Sequence, residues 1–168
     1  MNKPIQNYAL IAALFSILGK MTYHLFFLAE EDFDMYSRFF YLLCFLAALF
    51  IGLRAWKIQH PGSLFTEDVK SGLKIASIYA MVISAFTYAY YSWINPAYFE
   101  GKIATATAAA EESGIPVEQL ENVKNTTAFI FDAFTHSTLT LFGYISIGLF
   151  YTLILVLLFR YRPKAFGI

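Results

Sequence analysis

Four ionisable side chains sit in sequence that should exclude them. Lys20 and His24 are one helical turn apart in an apolar run near the N-terminus, and Asp132 and His136 are one turn apart in another near the C-terminus. A charge inside a membrane span costs a few kcal/mol and is kept where it has a partner or a task. Together the four form a candidate intramembrane polar cluster, a lysine–aspartate pair flanked by two imidazoles. The chemistry open to such a cluster is a proton relay or a pocket for an anionic headgroup. The structural alternative is that Lys20 snorkels, or pairs with Asp132 to set helix register, while the histidines bond nearby hydroxyls. With residues 28 and 127 taken as one boundary, Lys20 and His136 lie ~12–14 Å deep, and His24 and Asp132 ~6–8 Å. Counted from the opposite helix ends, Asp132 sits well above Lys20, so the pairing depends on tilt. His24, His136 and Asp132 are zinc-ligand types, but they lack a dense spacing such as H-E-x-x-H, and no metal site is expected.

The elements that must position these residues follow from hydropathy. Of the 168 residues, 58% are hydrophobic, 19% aromatic and only 14% charged, against about 25% charged in a soluble domain. Mean hydropathy is +0.55. This composition predicts an all-α polytopic membrane protein: one domain over residues 1–168, with four transmembrane helices at about residues 5–28, 36–53, 69–94 and 127–159. The N-terminal run lacks a small-residue cleavage site and reads as a retained span. The last run is too long to cross a bilayer upright, so it must tilt or protrude. His60-Pro61-Gly62 marks a turn, Thr66 is an expected N-cap for the third helix, and Asn95-Pro96 ends it. Residues 97–125 predict a short acidic helical cap: an alanine-rich helix stopped at Ser113-Gly114, then a second one opened by Pro116 and running through Lys124. Asn125-Thr126-Thr127 is expected to cap the last helix.

On the first span, Ala9, Ala12, Ala13, Ser16, Lys20 and His24 mark one small, polar face, and Leu14, Ile17, Leu18 and Leu25 an opposite one suited to lipid. On the third, Gly72, Ala76, Ala80 and Ser84 recur every four residues, which lets helix backbones approach closely; Gly143 on the last span extends the expected packing set. The aromatic stretch from Tyr88 to Trp93 reads as an interfacial belt.

Charges are segregated although the net charge is zero. Lys3, Arg54, Lys57, Lys70, Lys74, Arg160, Arg162 and Lys164 fall on one side of the predicted spans, with Glu67 and Asp68 the only acids there. The other side is acidic, with the turn at residues 30–34 and the helical cap. By the positive-inside rule both termini are cytoplasmic and the cap is extracytoplasmic. The basic residues have a secondary use in attracting anionic lipid. The acidic turn lacks the glycine and ligand spacing of a calcium loop. The lone cysteine, Cys44, excludes an internal disulfide.

The order of features from Gly62 onward resembles domain-of-unknown-function family 4199. The residues that carry the resemblance are the Gly62-Ser63-Leu64-Phe65 turn, the helix entry Val69-Lys70-Ser71-Gly72-Leu73, and the aromatic exit Tyr90-Tyr91-Ser92-Trp93-Ile94-Asn95-Pro96. A charged helical loop before the last span completes it. The resemblance implies a bacterial inner-membrane protein with four spans and supplies no catalytic residue. No Gly-rich phosphate loop, nucleophile elbow or Cys/His ribbon is present, so no enzyme, cofactor or nucleic-acid partner is expected. The expected function is an accessory or scaffolding subunit of a larger membrane complex. The alternative is a small oligomeric transporter or lipid-binding protein using the cluster of Lys20, His24, Asp132 and His136. The expected partners are the bilayer and another membrane protein or further copies of the chain.

Overall fold

A computed structural model describes residues 4–26 and 33–168. Among the described residues all regular structure is helical. The elements are α1 (Pro4–Phe26), α2 (Phe33–Gln59), α3 (Phe65–Ala89) continued by a π-helical turn (Tyr90–Ile94), α4 (Ala97–Glu112), α5 (Val117–Ile130), α6 (Ala133–Tyr161) and a closing 3-10 turn (Pro163–Phe166). Four stretches are long and apolar enough to cross a membrane: Ile5–Phe26, Tyr36–Gln59, Phe65–Ile94 and Ala133–Tyr161. The protein is therefore an all-α, multi-pass membrane protein. The acidic turn at residues 30–32, the end of the first predicted span at residues 27–28, and Lys3 lie outside the described residues.

Several boundaries differ from the sequence reading: α2 runs on to Gln59, past the expected end at residue 53. The apolar run at residues 127–159 is not one helix: residues 127–130 belong to α5, the chain bends at Phe131, and α6 begins at Ala133. Asn125-Thr126-Thr127 consequently lies inside α5 and caps nothing. Thr66 likewise lies within α3, whose N-terminus is closed by Glu67 reaching back to accept the Leu64 amide at 2.7 Å, one half of a capping box. The stop after α4 is where Ser113-Gly114 predicts it, and Gly114 takes the left-handed conformation, φ 72°, that needs no Cβ.

The chain falls into two compact units. The first comprises residues up to Ile83 together with Phe142–Ile168, and the second is Ser84–Leu141. In the first, the core is built from Ala9 and Ala13 of α1, Phe45 and Leu49 of α2, Ile75, Ala76 and Tyr79 of α3, and Val156 and Phe159 of α6. The small face of α1 is the inward one: Ala9, Ala13 and Ser16 are fully buried, while Leu14, Leu18 and Leu25 are exposed; Ile17, assigned to the lipid face, instead packs against the core at its edge. The close approach anticipated for α3 is present at Gly72, where an added Cβ would collide with Thr152, and at Ala76, which abuts Gly148 of α6. Gly143 departs from that expectation, because a Cβ there would meet nothing within 4 Å.

One polar tie crosses this core. The Tyr79 hydroxyl donates to the Tyr41 carbonyl at 2.8 Å and lies 2.7 Å from Ser16 Oγ, so a single side chain of α3 bonds both α1 and α2. Interhelical bonds of this kind are worth on average ~0.6 kcal/mol in membrane proteins and at most ~1.7. Tyr79→Phe keeps the ring packing against Phe45, centroids 5.0 Å apart, and removes only the bonds. A loss of about 1 kcal/mol is expected, read as a lowered thermal midpoint in detergent or nanodiscs.

Candidate functional site

A dense polar constellation in the first unit centres on Asp68, in the first turn of α3, where the helix macrodipole favours a negative charge. Its side chain is only 3% exposed. Oδ2 accepts from Lys57 Nζ at 2.9 Å and from Arg160 Nε and Nη2 at 3.0 and 2.7 Å. Oδ1 accepts from Trp56 Nε1 at 3.1 Å and from the Ser63 hydroxyl. Lys57 also donates to Ser63 Oγ at 3.0 Å, and Arg160 Nη2 to the Ser63 carbonyl. The carboxylate thus ties the end of α2, the α2–α3 turn and the end of α6 to the start of α3. His60 completes the turn, stacking on Trp56 with ring centroids 3.8 Å apart while its Nδ1 donates to the Trp56 carbonyl at 3.1 Å. One carboxylate faces two cations, so the network keeps one positive charge in excess. The cavity beside it is about 10 Å³, the lower limit for a single water. The constellation works as a clamp and leaves no room for a substrate.

None of the residues singled out from the sequence for the polar cluster is a member of this clamp. Lys20 and His24 are half-buried on α1 in the first unit, and Asp132 and His136 belong to the second. Asp132 is exposed and precedes α6. Its Oδ2 accepts the backbone amides of Phe134 and Thr135 at 2.9 and 3.1 Å, so it is the N-cap of that helix. His136 sits at the centre of aromatic rings in the second unit, edge-on to Tyr91 at 5.3 Å and against Phe99 at 5.6 Å. The π-helical turn at the end of α3 makes this possible: one extra residue in the turn swings Tyr90 and Tyr91 inward, to 3% and 7% exposure, and leaves Trp93 outside at 77%. The stretch read as a uniform interfacial belt is therefore split between a packed cluster and an exposed edge. In the same unit, Ser84 donates to the Ser137 carbonyl at 2.7 Å and ties α3 to the start of α6. Among the described residues, no three His, Cys, Asp or Glu side chains converge as a metal site would require.

Comparison with protein families matches residues 7–161 to the family described as "Protein of unknown function (DUF4199)". The chain belongs to the DUF4199 family. The match extends the resemblance from the last two-thirds of the sequence across the first two spans as well. No curated protein and no solved structure matches the DUF4199 chain.

In this DUF4199 protein the clamp escapes a sequence reading because each of its members has a simpler explanation there. Lys57 and Arg160 read as topology signals, and Asp68 as a helix-dipole acid. The available signal is that Glu67 and Asp68 are the only acids on a strongly basic side, and one of them falls where a helix must pack. The cap role of Asp132 carries its own test. Asp132→Ala is expected to cost about 1 kcal/mol and to fray the first turn of α6, seen as faster amide exchange at Phe134 and Thr135. Asp132→Asn, which can still cap, should behave nearly as wild type.

Proposed function

We propose that this protein is a non-enzymatic accessory or scaffolding subunit of a larger membrane complex, seated in a bacterial inner membrane with both termini cytoplasmic. The observation that carries this reading is that two buried polar constellations join helices. Asp68 with Lys57 and Arg160, and Tyr79 with Ser16, hold these helices together, and the cavity beside the Asp68 clamp is about 10 Å³. Polar ties of this kind set the register of a bundle. The apolar residues exposed along α1, among them Leu10, Ile11, Leu14, Phe15 and Leu18, then offer a long face to lipid or to a neighbouring span. The orientation rests on the basic residues that flank the turn between α2 and α3 and the end of α6.

Lys20→Ala is the variant that separates this reading from a transporter built on Lys20, His24, Asp132 and His136. A scaffold predicts that Lys20→Ala lowers the share of the chain recovered in a large assembly by native electrophoresis of gently solubilised membranes. If Lys20→Ala and Asp132→Asn both assemble normally but abolish a solute flux across vesicles, the transporter reading replaces it. Reporter fusions at both ends test the orientation, and a reporter active only outside the cytoplasm at either terminus would refute it.

A further inference from the structure

Arg54 and Arg160 hold their guanidinium groups in place and leave donors unused. Arg54 Nε donates to the Phe166 carbonyl at 2.7 Å, and its two terminal nitrogens have no partner among the described residues. Arg160 spends Nε and Nη2 on Asp68 and Ser63, and its Nη1 has no partner among the described residues. Arg54 bonds the Pro163–Phe166 turn directly, and Arg160 lies three residues before it in the chain. The Phe166 ring packs against Phe159 at 5.0 Å and Phe50 at 6.1 Å, one residue before Arg160 and one turn before Arg54. The Pro163–Phe166 turn carries Lys164 and follows Arg162, and both cations are exposed with no acidic partner among the described residues. The two acidic side chains in the first turn of α3 are engaged, Asp68 by the clamp and Glu67 by the Leu64 amide. Leu64 and Tyr161, 66% and 81% exposed, suit the boundary between hydrocarbon and headgroups at this end.

We propose that Arg54, Arg160, Arg162 and Lys164, gathered around the Pro163–Phe166 turn, form a binding site for the phosphate of an anionic phospholipid. A phosphodiester presents several acceptor oxygens to guanidinium forks. Because Arg54 and Arg160 are already tethered, less side-chain freedom is lost on binding. An anionic headgroup also balances the positive charge that the Asp68 clamp leaves over, whereas a zwitterionic one brings its own cation. This site does not depend on the subunit reading.

The test is native mass spectrometry of the full-length protein released from nanodiscs holding equal amounts of phosphatidylglycerol and phosphatidylcholine. The wild type is expected to retain phosphatidylglycerol at least tenfold over phosphatidylcholine. Each neutralised cation should reduce that preference about fivefold, so R54Q/R162Q/K164Q should retain the two lipids almost equally. The double variant R162Q/K164Q alters only exposed, unbonded side chains and guards against a folding defect; it should lose most of the preference while keeping the wild-type thermal midpoint in pure phosphatidylcholine. Equal retention of both lipids by the wild type would overturn the proposal, as would a preference that survives in both variants. Retention of a glutamate-rich peptide in place of phosphatidylglycerol would also overturn it, and would make the surface a protein-docking one.

Discussion

Asp68→Ala is expected to destabilise the protein by about 3 kcal/mol. Removing one partner of a buried ion pair typically costs 3–5 kcal/mol, because the remaining charge is left without compensation. Here two cations lose their carboxylate at once. Arg160 is a third exposed and rehydrates, which places the expected cost at the lower end, while Lys57, 10% exposed, cannot follow it. Trp56 and Ser63 lose their acceptor as well. Thermal unfolding in nanodiscs measures the loss, and a double-mutant cycle with Lys57→Met isolates its electrostatic part. Coupling of more than about 1 kcal/mol is expected between the two positions. Simple additivity would mean that Lys57 and Asp68 do not depend on one another in the folded protein.

The second large effect is steric and comes as a matched pair. Gly148→Ala is expected to cost up to about 3 kcal/mol, the upper range for overpacking a filled core. The new methyl would collide with the Ala76 side chain and reach within 3.1 Å of Phe45 Cζ and 3.7 Å of Ala76 Cα. Neither alanine has a rotamer to change, so relief requires α3 and α6 to separate. Gly143→Ala, on the same helix little more than one turn away, meets open space and exchanges glycine for the best helix former. It should be neutral or slightly stabilising. Equal damage at both positions, in yield and in thermal midpoint, would show that helix propensity rather than close packing governs α6.

These two predictions mark what was and was not legible in the sequence. The four spans were, because runs of apolar residues bounded by charges have few folded alternatives in lipid. The inward face of α1 and the packing role of Gly72 and Ala76 were legible too, since small residues at helical spacing serve backbone approach. Gly148 was not picked out, because a glycine in an apolar helix looks the same whether it faces a neighbour or open space; Gly143 was picked out and faces the latter. The bend at Phe131 was hidden for a related reason: no proline or glycine interrupts the run, and the break is made by an aspartate that bonds backbone amides. That bend changes the reading of Asp132, which sits ahead of α6 as its cap, where the candidate cluster required it inside a span. The Asp68 clamp depends on residues 57, 63, 68 and 160 meeting in space, and no local spacing announces a contact across 92 positions.

Clamp, tyrosine tie and glycine contacts all act in one direction. They hold the helices of the first unit in fixed register.

The most direct measurement is gentle detergent extraction of the tagged protein from its native membrane, followed by mass spectrometry of what comes with it. The scaffold account predicts a second membrane protein in fixed stoichiometry, lost when the assembly is dissociated. A stable, monodisperse particle built of this chain alone would contradict it.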